Sequence, residues 1–275
     1  MERKTIVITG ASDGIGAAAA RRLSRGGANI VVIGRSHSKT AAVAAELGAD
    51  HFVADFADLS AVRALADEIR SRYPRIDVLA NNAGGLFTKT HQTVDGHEIT
   101  LQVNYLAPFL LTTRLMDLLV ESRATVINTT SSSHKLLPRP KISDLQDTTG
   151  RRPSSAYAVT KLAIVLFTRE LHRRYHPAGL SAATFHPGYV NSNFGEASGS
   201  RFLVFMKYRV PLVARFTATT DEAADQLVWL ASGTPGVDWT SGEYYSKGKI
   251  ARANRAAYDP ALARELWDRT VATIG

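Results

Sequence analysis

Short apolar runs and longer helical stretches alternate along this chain, and that alternation restricts the fold more than any other feature. The runs are Thr5–Thr9, Ile30–Gly34, His51–Ala54, Val78–Asn81, Thr125–Thr129 and Leu180–Phe185. Between them lie Ala/Leu/Arg-rich stretches with helical spacing, at Ile15–Ser24, Thr40–Leu47, Leu59–Arg72, His97–Val120 and Ala156–Tyr175. A short, continuous apolar run suits a strand buried on both faces, because neither side meets water. Strands that alternate with helices form βαβ units and a parallel sheet. The expectation is an α/β fold, with a doubly wound parallel sheet carrying helices on both faces. Towards the C-terminus, Asp221–Ser232, Gly242–Ser246 and Pro260–Thr270 read as helix, strand and helix that finish the sheet. No repeat, low-complexity tract or long linker intervenes, so residues 1–275 read as a single domain.

Composition excludes several function classes. There is no cysteine, hence no disulfide framework, thiolate metal site or cysteine nucleophile. The formal charge is +8, but Lys and Arg are scattered. Even the densest spots, Arg21-Arg22, Arg151-Arg152 and Arg173-Arg174, read as solvated helix faces, so no nucleic-acid partner is expected. His172 and His176 stand four apart, where a metal site needs a third ligand; cationic groups at a helix end are the plainer reading, and no metal is expected. The opening run is too short for a signal-peptide core and no apolar stretch reaches ~18 residues. No membrane span and a cytoplasmic location are therefore expected.

The first strand leads into Thr9-Gly10-Ala11-Ser12-Asp13-Gly14-Ile15-Gly16 and then a helix. Gly10, Gly14 and Gly16 permit a tight turn and remove the Cβ atoms that would block a pyrophosphate. The helix N-terminus offers free N–H groups to phosphates. Ser12, Asp13 and Ile15 complete this candidate dinucleotide loop. The same residues spell G-x-S-x-G, the hydrolase nucleophile elbow, but that elbow needs a sheet already built before it. The second strand ends Ile33-Gly34-Arg35, and an arginine there suits a 2′-phosphate where an acid would suit ribose hydroxyls. The cofactor expected is NADP(H), with NAD(H) as the alternative that acidic Asp13 favours mildly. After the third strand, Asp55, with Phe56 beside it, is placed for an adenine N–H; Asp55 could equally cap the helix near Asp58.

Asn81-Asn82-Ala83-Gly84-Gly85 closes the fourth strand, as a ligand crevice or as a turn; Asn82, Ala83 and Gly84 are the cofactor candidates. Asn104 lies mid-helix, where asparagine competes for backbone groups, and is either functional or solvent-facing. Asn128-Thr129-Thr130-Ser131-Ser132-Ser133 ends the fifth strand with hydroxyls that can hold a substrate oxygen. Its glycosylation sequon falls in a buried strand, where it is not expected to be used.

Tyr157 and Lys161 stand four apart at the opening of a helix and so share a face. A free phenol ionises near pH ~10. A neighbouring ammonium favours the phenolate and should bring the pKa down into working range. Such a pair can exchange a proton with a carbonyl or alcohol oxygen.

In order and spacing, Thr9…Gly14-Ile15-Gly16, Asp55, Asn81-Asn82-Ala83-Gly84, Asn104, the serine cluster, Tyr157…Lys161 and Pro187-Gly188 resemble the short-chain dehydrogenase/reductase superfamily. The resemblance implies a Rossmann fold with a seven-stranded parallel sheet and a catalytic tetrad. Tyr157 would be the general acid/base. Lys161 would lower its pKa and bind the nicotinamide ribose. Ser131, with Ser132 as fallback, would hold the substrate oxygen. Asn104 would anchor a relay water. Pro187, Gly188 and Val190 would support the nicotinamide amide, with Ser192 where threonine is usual. Ser131 and Tyr157 are 26 residues apart, twice the common family spacing. The insert Leu136–Ser155, with His134 near its start, resembles the retinol dehydrogenase branch, which implies a small apolar carbonyl or alcohol substrate. A substrate loop over about 191–218, with apolar residues at 202–213, would be a lid, a homo-oligomer contact or a shallow membrane contact. The rival reading is a catalytically silent NADP-binding sensor or scaffold on the same fold.

Overall fold

The computed structural model describes residues 3–138, 140–188 and 219–275. Eight strands form one sheet in the order β3-β2-β1-β4-β5-β6-β7-β8. They are β1 Thr5–Thr9, β2 Asn29–Gly34, β3 Asp50–Val53, β4 Val78–Asn81, β5 Thr125–Thr129, β6 Ser181–His186, β7 Tyr244–Ser246 and β8 Lys249–Ile250. The first seven are mutually parallel, as the alternation predicts. β8 adds a two-residue antiparallel edge to the expected seven. Lys247 and Gly248, both at positive φ (54° and 70°), make the two-residue turn that folds it back. Such a turn matches the twist of paired strands.

Both faces of the sheet are apolar because each strand sends alternate residues to opposite sides. Ile6, Ile8, Ile30 and Val32 pack with helices α1 (Gly14–Arg25), α2 (His37–Leu47) and, through Ala224, Leu227 and Leu230, Thr220–Ser232. Val7, Val31, Leu79 and Val126 pack on the other side. There lie α3 (Leu59–Arg72) and a segment of α4 (Ile99–Leu101), a π turn over Gln102–Leu106, α5 (Ala107–Arg114) and α6 (Met116–Glu121). After the short α7 (Ile142–Gln146) comes the long α8 (Pro153–Tyr175), then α9 (Thr220–Ser232) and α10 (Pro260–Ile274). Asp13, Ser36, Asp58, Thr219 and Asp259 cap five of these helices with side-chain oxygens. Asp58, not Asp55, caps α3; Asp55 instead closes its own turn by accepting from the Ala57 N–H at 3.0 Å.

Strand order reverses between β1 and β4: the chain runs outward to β2 and β3 on one side and to β5, β6 and β7 on the other. Diverging connections leave a crevice at the carboxyl ends of these strands. Thr9, Asn81 and Thr129, the last residues of β1, β4 and β5, stand at its rim.

Candidate active site

The glycine turn is built against the end of β4. A Cβ on Gly10 would come within 2.9 Å of Ala83 Cα, and one on Gly16 within 2.3 Å of the Gly10 carbonyl. A Cβ on Gly14 would meet nothing, so the turn is open on that side. Gly10 and Gly14 also sit at φ 66° and 55°, which side-chain-bearing residues rarely adopt. Thr9 Oγ1 accepts the N–H groups of Asn82 and Ala83, each at 3.0 Å. Asn82 Nδ2 donates to the Thr9 carbonyl at 3.1 Å, and Thr129 Oγ1 donates to Asn82 Oδ1 at 3.2 Å. Asn82 thus clamps the loop, and the Gly14 side of the turn, at the α1 N-terminus, is left open. These features fit a dinucleotide pyrophosphate.

At the end of β2, Arg35 is exposed and Gly34 presses on Ser12, where a Cβ would lie 2.8 Å from Ser12 Oγ. Asp13 caps Gly14 N–H at 2.8 Å and pairs with Lys39 at 3.0 Å. Its charge is therefore offset, which weakens the case it makes against a 2′-phosphate. Phe56 can meet a cofactor in one way only. Its ring is 5% exposed and belongs to the core, so only its backbone can face a cofactor. Pro187 and Gly188 follow β6 with part of their surface accessible. Val190, Ser192 and the apolar loop lie outside the described residues.

Asn104 faces inward, 1% exposed, in the π turn. Its Oδ1 accepts from Gly85 N–H and its Nδ2 donates to Gly85 C=O, both at 2.8 Å, with a second bond to Thr100 C=O at 3.0 Å. The solvent-facing alternative is overturned. π turns are rare and concentrate at functional sites. Gly84 separates Asn104 from Lys161: a Cβ there would lie 2.4 Å from Asn104 Oδ1 and 3.4 Å from Lys161 Nζ.

Tyr157 lies one turn inside α8, which begins at Pro153. Lys161 Nζ sits 5.4 Å from the centre of the Tyr157 ring and donates to the Thr129 carbonyl at 3.1 Å. Thr130 Oγ1 donates to the Lys161 carbonyl at 2.7 Å, tying α8 to the end of β5. Ser131 is hydrogen-bonded to the Tyr157 phenol. Tyr157, Lys161, Ser131 and Asn104 are therefore brought to one side of the crevice. The expected depression of the phenol is not found. Burial pushes Tyr157 up to about 12, with only the Ser131 bond opposing. Burial likewise brings Lys161 down to about 8. Loss of hydration disfavours each charged form, and it is the largest influence on both groups.

The polar end of β5 held two functions that its composition alone could not separate. Asn128 is fully buried, accepting from Asn81 Nδ2 at 2.9 Å and donating to Thr168 at 3.0 Å. Thr129 holds Asn82 at the crevice rim, Thr130 is buried against α8, and Ser131 reaches the Tyr157 phenol. The insert is pinned by Glu98, whose carboxylate accepts from Thr148 Oγ1 at 2.6 Å and from Leu101 N–H at 3.1 Å. Sequence reasoning missed Glu98; its signal was an acidic residue just before a helix. His172 and His176 stack at 4.5 Å, and His172 Nδ1 lies 2.9 Å from Ser241 Oγ.

Fold and site define a dinucleotide-dependent oxidoreductase. Residues 4–201 match the short chain dehydrogenase family. A Streptomyces sp. (strain C5) protein provisionally named daunorubicin C-13 ketoreductase DnrU is 36% identical over 279 residues, covering 99% of this chain and 93% of its own. Retinol dehydrogenase 14 of Mus musculus is 33% identical, over 100% of this chain and 87% of its own. Among solved structures, a gluconate 5-dehydrogenase from Burkholderia cenocepacia J2315, in complex with NADP and tartrate, superposes with TM-score 0.66. It is 26% identical, over 89% of this chain and 93% of its own. The chain belongs to the short-chain dehydrogenase/reductase family, in its retinol dehydrogenase-like branch. It is an enzyme of the class that acts on CH–OH donors with NAD(P). Among the described residues, no helix is long and apolar enough to cross a membrane.

Proposed function

We propose that this enzyme interconverts an apolar aldehyde or ketone and its alcohol with NADP(H), using Tyr157 as the general acid/base. The convergence of Tyr157, Ser131 and Lys161 beside the glycine turn carries this reading. Bound nicotinamide supplies or accepts the hydride. Gly10, Ser12, Gly14, Ile15 and Gly16 would hold the pyrophosphate, Arg35 a 2′-phosphate, and Pro187 and Gly188 the carboxamide side. In reduction, the Tyr157 hydroxyl gives its proton to the substrate oxygen, which Ser131 Oγ also holds. Lys161 stands close enough to stabilise the phenolate left behind.

The test is Tyr157→Phe, which removes one oxygen and keeps the ring. General acid/base catalysis contributes roughly 10²- to 10⁴-fold. NADPH oxidation against a panel of medium-chain and ring aldehydes and ketones should fall by at least the lower figure, with NADPH affinity nearly unchanged. Near-normal turnover in the variant would overturn the mechanism. A wild type that binds NADPH and reduces nothing would identify a sensor or scaffold instead.

A further inference from the structure

We propose that His134 is the positioning residue for Ser131: its ring N–H, bonded to the Ser131 carbonyl, fixes the serine hydroxyl against the Tyr157 phenol. The inference deepens the function proposed above and rests on it.

Ser131 caps a 3₁₀ turn over Ser132–Leu136, and its Oγ accepts from the Ser133 N–H at 3.3 Å. Two donors of His134 converge on the Ser131 carbonyl. The backbone N–H reaches it at 3.4 Å, and ring Nδ1 makes a closer contact. A carbonyl only accepts, so Nδ1 carries the proton and the neutral ring leaves Nε2 bare. His134 is completely buried, and its ring stands edge-on to Tyr244 at 5.0 Å. Asn254 holds the same turn from the C-terminal segment, donating Nδ2 to the carbonyls of His134 and Leu137 at 2.9 Å each.

What singles out the imidazole is what it leaves unmade. Among the described residues Nε2 has no partner, and neither do the buried Ser133 Oγ and Tyr244 hydroxyl. Buried polar atoms are ordinarily satisfied, and a leucine would fill this space with none left bare. The ring is kept for the one bond it does make. Among the described residues, Lys135, whose ammonium lies 5.3 Å from the Tyr244 ring centre, His186 and the Tyr244 phenol are the charged and titratable groups around it; Lys135 and His186 oppose its protonation, and burial keeps the phenol neutral. Burial adds to this and brings His134 down to about 4, so the donor geometry is constant across the working range. The pH response that reaches the reaction therefore belongs to Tyr157, which faces Ser131 and Lys161.

Three variants separate positioning from packing. In His134→Asn the amide nitrogen stands where Nδ1 stood; in His134→Gln it stands nearer Nε2; His134→Leu has no donor. With NADPH and the best carbonyl of the panel, Leu and Gln should lower kcat by roughly ten- to hundredfold, the scale of an ångström's misplacement. NADPH affinity should hold, and Asn should keep most of the wild-type kcat. In the alcohol-oxidising direction, the rise of rate with pH should move to higher pH in Leu and Gln and stay in place in Asn, because only a correctly placed Ser131 opposes the burial of the phenol. If Leu does not fold, Asn against Gln carries the comparison. Equal turnover in Asn and Gln, or losses with an unmoved pH rise, would overturn the inference. That result with an inert Tyr157→Phe sinks the positioning role alone; an active Tyr157→Phe, or a wild type inert on every carbonyl, sinks both readings.

Discussion

Asn104 grips Gly85 by both of its backbone groups, Oδ1 on the N–H and Nδ2 on the carbonyl, each at 2.8 Å. A helix residue thereby holds the strand-end loop that lies between the cofactor turn and Lys161. Both Nδ2 hydrogens are spent on protein carbonyls, so a relay water at this position would donate to the remaining lone pair of Oδ1 or use a backbone group of this segment.

Replacing Asn104 with alanine should therefore be felt in the fold as well as in turnover. Three bonds disappear, and the Gly85 groups and the Thr100 carbonyl lose their partner. At about 1–3 kcal/mol for a stranded buried polar group, the loss should exceed 2 kcal/mol. Tm should drop by at least ~4 °C at this chain length, read by scanning calorimetry. A Tm within one degree of wild type would show that the loop does not depend on Asn104.

Lys161 should trade stability for activity. Its ordinary value of 10.5 is brought down to about 8 by burial, so between those values the unfolded chain binds more protons than the folded one. Stability from this group therefore rises with pH across that window, and the ammonium weighs most against folding below pH 8. Lys161→Met should abolish turnover, yet leave Tm at pH 7 unchanged or higher, with the lost Thr129 bond offsetting part of the gain. A clear fall in Tm at pH 7 would mean that the ammonium stabilises the fold.

Acid should weaken the fold before the carboxylates titrate. Burial holds His134 and His186 down to about 4, against an ordinary 6.5. Below 6.5 the unfolded chain takes up protons that the folded one refuses, so stability is lost as pH falls towards 4. For fully buried His134 the limit is about 3 kcal/mol at 1.36 kcal/mol per pH unit. Urea midpoints at pH 7.5 and 5 should show the decline, and His134→Asn should show less of it. Identical slopes in the two proteins would rule out His134 as a contributor.

Cofactor choice should turn on Arg35. A charge-assisted contact to a 2′-phosphate is worth about 1.5–3 kcal/mol, or roughly ten- to hundredfold in Kd. Arg35→Ala should weaken NADPH by that factor and leave NADH unchanged, measured by fluorescence titration of both. Equal affinities for both cofactors in wild type would refute the NADP preference.

The sequence by itself determined the parallel sheet, the glycine turn and the four-residue spacing of Tyr157 and Lys161, because these are local patterns. Periodicity, small residues and helix geometry act over a few neighbours. It did not determine that Asn104 faces inward, that Phe56 belongs to the core, or that Asp58 caps the helix instead of Asp55. Each depends on what packs against the residue. The strand expected over Gly242–Ser246 is there as β7, but the eighth, Lys249–Ile250, is two residues long and too short to announce itself; only the Lys247-Gly248 turn folds it back. The tertiary structure alone decided the protonation chemistry. The sign of a pKa shift is a contest between a neighbouring charge, visible in sequence spacing, and loss of water, which exists only once the sheet and helices have closed around the site.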